Sequence, residues 1–322
     1  MFPVDFGYVR ATSLTHALSE LAGSDDVKLL AGGQSLLPMM KLRLAAPETV
    51  VDIGGLPELT GVRRVDGTVQ IGSATTYRAL QDLPLPVLSD ALAVLADPQV
   101  RARGTVGGAV AHADPAADLP AVLLALDAGL SIAGPSGTRA VALDAFLQGP
   151  YTTDLAEDEI LTAISFAAPA AGTGQAYEKF EQPASHLPLA GVCASLTVTD
   201  GVIAAARLAV TGVAGRAFRS FSTERALVTL PATLDSVREA AALVPDLAGD
   251  LRPLSDQHAS AAFRLHLAEV LARRALTRAL SRSLSDSAAA SDPSIPASTS
   301  DPTSDPSIPA STYASQCKSD KS

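Results

Sequence analysis

Two short glycine segments are the parts of this chain whose residue types and spacing best suit chemistry. Ala31, Gly32, Gly33, Gln34 and Ser35 close the apolar run VKLLAGG and open the helical run SLLPMMKLRL. Glycines at such a junction permit positive φ and let the backbone come close to a ligand. The helix start that follows offers unpaired N–H groups and a positive dipole end, which suits a diphosphate. Ser35 can cap that helix or give its hydroxyl to a phosphate oxygen. The second segment is Gly104, Thr105, Val106, Gly107, Gly108 and Ala109, followed by Asp114, Pro115 and Asp118. It can hold the other side of the same diphosphate. A carboxylate beside it can accept hydrogen bonds from ribose hydroxyls or a ring N–H. Arg101 and Arg103 either neutralise phosphate or pair with surface acids. Taken singly, each segment reads first as an ordinary turn.

Other chemistries lack their residues. No glycine is followed by Lys, so there is no phosphate-binding P-loop. Gly172-Thr-Gly174 lacks the third glycine of a dinucleotide fingerprint. Gly134-Pro-Ser-Gly137 reads as a turn and not as a nucleophile elbow. His16, His112, His186, His258 and His266 are scattered, with no His-x-x-x-His pair for zinc. His258 and His266 are expected on one helix. Cys193 and Cys317 cannot build a cluster or a four-thiolate site alone. No metal site and no catalytic residue is nominated. The formal net charge of -10 argues against nucleic acid as the main ligand. No run approaches the ~18 apolar residues of a membrane helix. The opening residues lack a signal-peptide pattern, so a cytoplasmic location is expected.

The elements that must position these loops follow from periodicity. SLTHALSELA (13–22) has helical spacing after a capping Ser13, and ETVVDIGG (48–55) reads as a strand. Residues 1–55 therefore suggest strand–helix–strand. Asp66-Gly67 marks a hairpin in VRRVDGTVQIG, and Asp200-Gly201 marks another between LAGVCASLTVTDG and VIAAARLAVTGV. LPAVLLALDA reads as a buried helix, and EDEILTAISF as a strand. A boundary is expected near AAPAAGTGQA (167–176). Beyond it, a short antiparallel sheet is followed by helices, ending with 256–282. From about Ser283, Pro, Ser, Asp and Thr dominate, and SDPSIPAST occurs at both 291–299 and 304–312. Such a segment buries too little apolar surface to offset its ordering entropy, so 283–322 is expected to be a disordered tail.

Taken together, AGGQSLLPMMKLRLAAPETVVDI (31–53) and DPQVRARGTVGGAVAHADPAADLPAVLLAL (97–126) resemble the FAD-binding medium subunit of molybdenum hydroxylases. Within that family the likeness leans to the carbon monoxide dehydrogenase medium subunit and runs over about 1–282. It implies an α+β fold: a two-subdomain FAD-binding domain of the PCMH/vanillyl-alcohol oxidase type at 1–172, divided at about 55, then a small C-terminal domain at 173–282. It implies FAD as the cofactor. Residue by residue, Ala31, Gly32, Gly33, Gln34 and Ser35 match the first FAD loop. Thr105, Val106, Gly107, Gly108 and Ala109 match the second, and Asp118 matches an FAD-contacting carboxylate. Leu161 and Lys179 fall at positions that flank the flavin. There are departures. Gln34 replaces a common His, and Ala109 stands where many members have Asn. His186-Leu187 stands where the carbon monoxide dehydrogenase pattern has Asp-Tyr, which weakens that specific assignment.

The resemblance further implies that this chain oxidises no organic substrate itself. A large molybdopterin-binding subunit does so, and a small 2Fe-2S subunit delivers the electrons, in a dimer of heterotrimers. The chain then passes electrons from FAD to an external acceptor. Two competing readings are a stand-alone FAD-dependent oxidase of the same superfamily and a non-catalytic binding module.

Overall fold

The first glycine loop hangs from a parallel sheet. The computed structural model describes residues 2–23 and 26–290. In it β1 (Gly7–Arg10), α1 (Leu14–Ala22), β2 (Val27–Leu30), α2 (Leu36–Lys41) and β3 (Thr49–Asp52) form one layer, with β3 between β1 and β2 and parallel to both. Parallel neighbours require crossovers, which α1 and α2 help to supply. Ser13 caps α1 by accepting the His16 N–H. Ala17 and Leu21 then face Val51 and Ile53 in a small core. β1 adds a strand to the expected strand–helix–strand unit. It escapes pattern reading because Gly7, Tyr8 and Arg10 are exposed.

The second loop belongs to an antiparallel layer. After a short turn at Pro57–Leu59 come β4 (Val62–Val65), β5 (Thr68–Gly72), α3 (Tyr77–Leu80), α4 (Pro86–Val94), α5 (Pro98–Arg103), α6 (Val106–His112) and α7 (Asp118–Ala125). These are followed by β6 (Gly129–Gly134), β7 (Gly137–Ala142), α8 (Leu143–Phe146), β8 (Leu147–Gly149), β9 (Thr152–Thr153) and β10 (Ile160–Ala167). The sheet order is β4-β5-β10-β6-β7. Every residue of α7 is buried, which explains a helix apolar on all sides. Its one carboxylate, Asp118, is therefore inside the protein.

The third layer is a sheet of β11 (Thr173–Glu181), β12 (Pro188–Thr199), β13 (Val202–Thr211) and β14 (Phe218–Arg219), covered by α9 (Phe221–Leu227), α10 (Leu234–Ala241) and α11 (Ala261–Ala290). Asp90 on α4 fastens it to the middle layer, accepting from Arg278 and Arg282 of α11, each at 2.6 Å. Two expectations are corrected. His258 precedes α11, so only His266 lies on that helix. α11 also continues past 282, into the segment expected to be tail. Ser283 is buried and donates to the Gly172 carbonyl, while the Gly172 N–H donates to Asp286 at 2.7 Å. Leucine and alanine in ALSRSLSDSAAA sustain helical propensity further than the serine content suggested. The rest of the expected tail, 291–322, lies outside the described residues.

Candidate cofactor site

The two loops meet. A side chain at Gly32 would run into the Arg103 carbonyl and Gly104, so the first loop lies directly on the backbone that leads into the second. Gly33 has φ +75°, a left-handed conformation that resists other residues. Among the described residues, the backbone N–H groups of Gly32, Gly33, Gln34, Ser35 and Leu36 have no protein acceptor; the loop instead accepts, at the Gly33 carbonyl from the Leu37 N–H and at the Ser35 carbonyl from the Met39 N–H. Ser35 occupies the cap position of α2 without making a cap hydrogen bond. Its hydroxyl is uncommitted, and Gln34 and Ser35 are exposed. Consecutive free N–H groups at a helix start form an anion cradle.

The second loop is built differently. Thr105 accepts the Gly108 N–H through its hydroxyl at 3.2 Å. The Val106 N–H donates to Thr75 and the Gly107 N–H to Ser73, at 3.0 and 2.8 Å. Gly107 packs against Ser73 so closely that a β-carbon would collide with its backbone. Thr105, Val106 and Gly107 are buried, whereas Gly108 and Ala109 are half-buried. The expected row of unpaired N–H groups is thus present in the first loop and mostly consumed in the second. Arg101 donates to the carbonyls of Leu95 and Ala96, both at 2.7 Å, which is neither role foreseen for it. Arg103 is exposed and has no ion pair among the described residues.

Asp118 and Lys179 are brought together. Lys179 Nζ donates to Asp118 Oδ1 at 3.0 Å, and only 5% of the Asp118 side chain and 2% of the Lys179 side chain are accessible. Lys179 also donates to the His186 carbonyl at 2.7 Å. Burial pushes the Asp118 carboxyl above its ordinary range; Lys179 and the Tyr177 hydroxyl pull the other way. Leu161 is 5% exposed and sits in the main core on β10, beside a register shift that ends at Ala163.

Two residues escaped sequence reasoning. Tyr177 donates its hydroxyl to Asp118 Oδ1 at 2.7 Å. Tyr77 packs its ring on Gly104 and, through burial and the Asp118 charge, has its hydroxyl pushed up. Both are aromatic residues at core-like positions, and nothing in their spacing separates them from ordinary core.

This arrangement has known counterparts. Residues 4–169 match the FAD binding domain in molybdopterin dehydrogenase, and 175–279 match the CO dehydrogenase flavoprotein C-terminal domain. The chain belongs to the FAD-binding medium subunits of molybdenum hydroxylases. Among other medium subunits, it is 38% identical to the carbon monoxide dehydrogenase medium chain of Hydrogenophaga pseudoflava, covering 86% of this chain and 97% of that one. It is 36% identical to the glyceraldehyde dehydrogenase medium chain of Sulfolobus acidocaldarius, covering 85% and 98%. The carbon monoxide dehydrogenase of Hydrogenophaga pseudoflava that lacks the Mo-pyranopterin moiety superimposes with a TM-score of 0.84 at 40% identity, over 88% of this chain and 99% of that one. The fold is therefore the two-part FAD-binding domain and C-terminal flavoprotein domain of these medium subunits, and FAD is the cofactor.

The residues present fit that cofactor. Among the described residues the first loop supplies unpaired N–H groups and an uncommitted Ser35 hydroxyl, and Gly33 holds the left-handed turn that presents them. These are the donors that a diphosphate needs.

Proposed function

We propose that this chain is the electron-transfer subunit of a molybdenum hydroxylase. It takes electrons from the [2Fe-2S] clusters of a small subunit and delivers them from FAD to an external acceptor. A large molybdopterin subunit oxidises the substrate, and the assembly is a cytoplasmic dimer of heterotrimers. The substrate is of the carbon monoxide, aldehyde, xanthine or heterocycle kind. FAD, when bound, accepts and releases electrons singly or in pairs, while the protein supplies binding, orientation and electrostatics.

The N–H groups of Gly32 to Leu36 and the Ser35 hydroxyl take the diphosphate, and Gln34 donates at the rim. Thr105, Val106, Gly107, Gly108 and Ala109 form the second cofactor loop, entered through Arg103 and Gly104, on which Gly32 rests. Asp118 accepts a hydroxyl or ring N–H, Lys179 presents its charge beside it, and Leu161 backs the ring. No proton transfer by a side chain is required. The observation that carries this reading is the run of unpaired N–H groups in the first loop.

Among the described residues no helix is long and apolar enough to cross a membrane. The experiment is a visible spectrum and a subunit gel of native material. Bound flavin with co-purifying large and small chains is expected. A colourless, solitary protein after incubation with FAD overturns the reading. Turnover of a small alcohol or acid by the isolated chain also overturns it, and points to an oxidase.

A further inference from the structure

Tyr177 has no place in the reading above, yet it is among the most completely enclosed polar side chains near the site. It is 3% exposed and lies in the main core, at the seam between β11 and α7. Residues two apart on a strand share a face. Tyr177 and Lys179 are such a pair, and both reach the same atom, Asp118 Oδ1, at 2.7 and 3.0 Å. The neighbouring strand leaves room for this. Gly191 pairs with Lys179 across the ladder, and a β-carbon there would collide with the Tyr177 hydroxyl. β13 fixes the other partner. Thr211 donates to the carbonyls of Pro115 and Ala117, at 2.9 and 2.8 Å, holding the turn that leads into Asp118. β11 thus bonds the buried carboxylate twice, while β12 makes room for the Tyr177 hydroxyl and β13 holds the turn that leads into Asp118.

We infer that Tyr177 is a positioning residue for the flavin site: its hydroxyl fixes Asp118 through Oδ1, keeps it as an acceptor for FAD, and sets how much of the Lys179 charge is neutralised. Tyr177 acts on the cofactor only through Asp118. This rests on the flavin reading above.

The groups facing Asp118 are few. Lys179 and Tyr177 come from β11, and Tyr77 from α3. Glu181 lies 3.9 Å from the Lys179 ammonium and pairs with the His186 ring at 3.4 Å. A hydrogen bond to the ionised form of an acid favours that form. Removing the Tyr177 hydroxyl therefore lets Asp118 take up a proton at higher pH, and FAD loses its acceptor there.

The test is FAD affinity against pH on the full chain, stripped of flavin and titrated with FAD. For Tyr177→Phe the ring stays and the fold is expected to hold, as circular dichroism checks. Affinity is expected to fall roughly tenfold at neutral pH, the order of the charge-assisted Asp118–FAD hydrogen bond that a protonated or displaced Asp118 forfeits. The acid limb of the profile is expected to move to higher pH. Asp118→Asn is expected to remove that limb, and Tyr177→Phe added to it is expected to change nothing further. An unchanged profile overturns the inference. So does a uniform loss of affinity with the limb unmoved, which marks a merely structural role. If Tyr177→Phe does not fold, the limb is read in Gly191→Ala, whose β-carbon crowds the hydroxyl off Asp118; an unmoved limb there overturns the inference too. A wild-type chain that binds no FAD at all overturns the flavin reading itself, which separates the two failures.

Discussion

The two glycine loops share residue types but use their backbone N–H groups in opposite ways. In the first, the N–H groups of Gly32 to Leu36 and the Ser35 hydroxyl have no partner among the described residues. In the second, Ser73, Thr75 and the Thr105 hydroxyl take the corresponding groups, and Gly107 lies flat against Ser73. Glycine lets both loops approach other backbone, Gly32 at Arg103 and Gly104, and Gly107 at Ser73; the loops differ in which N–H groups stay open. Glycine content alone therefore does not distinguish a loop with open N–H groups from one whose N–H groups are bonded within the protein.

Substitutions can break that contrast. The largest effect is expected for Gly33→Val. A β-branched residue opposes φ +75° and its side chain meets Leu37 and Leu30. FAD content by absorbance is expected to be lost, with the fold retained by circular dichroism. Normal flavin occupancy argues against the first loop as the cradle. Next comes Gly107→Ala, expected to destabilise the protein by about 1–3 kcal/mol through overpacking against Ser73. Urea unfolding measures it, and flavin loss should track stability instead of preceding it. Thr105→Ala removes a helix cap and is expected to cost about 1 kcal/mol by the same measurement. Ser35→Ala is its mirror image. With no cap bond to lose, stability should stay level while FAD affinity drops a few-fold in titration. If Ser35→Ala destabilises the fold and spares affinity, the contrast between the loops is wrong. The smallest effect is expected for removal of 291–322, which should leave both flavin content and stability unchanged. Removal from 283 onward should lower stability, since Ser283 and Asp286 hold Gly172.

Much of the architecture was legible because its signals are local. Asp66-Gly67 and Asp200-Gly201 do turn hairpins, with both residues of each pair in the left-handed region. Ser13 does cap the first helix. The uniformly apolar LPAVLLAL is the helix buried on every side. Where reading fell short, the deciding contact came from elsewhere in the chain. β1 is a strand because β3 pairs with it, not because its residues alternate in polarity. α11 outlasts its expected end because Gly172 offers partners to Ser283 and Asp286. Arg101 sits beside a phosphate-like motif yet turns back to the carbonyls of its own connection.

By itself the sequence determined which residue types are available: glycines where backbone must come close, a carboxylate ahead of an apolar helix, and too few cysteines to hold a cluster. Those are properties of side chains and of short-range torsional freedom, and they survive without a fold. Only the tertiary structure decided which glycine loop keeps its N–H groups free, because Ser73 and Thr75 reach the second loop from a distant turn. It alone brought Lys179 and Tyr177 to the same oxygen of Asp118. A hydrogen bond is satisfied or left open by whatever lies within about 3 Å in space, and distance along the chain does not reveal that.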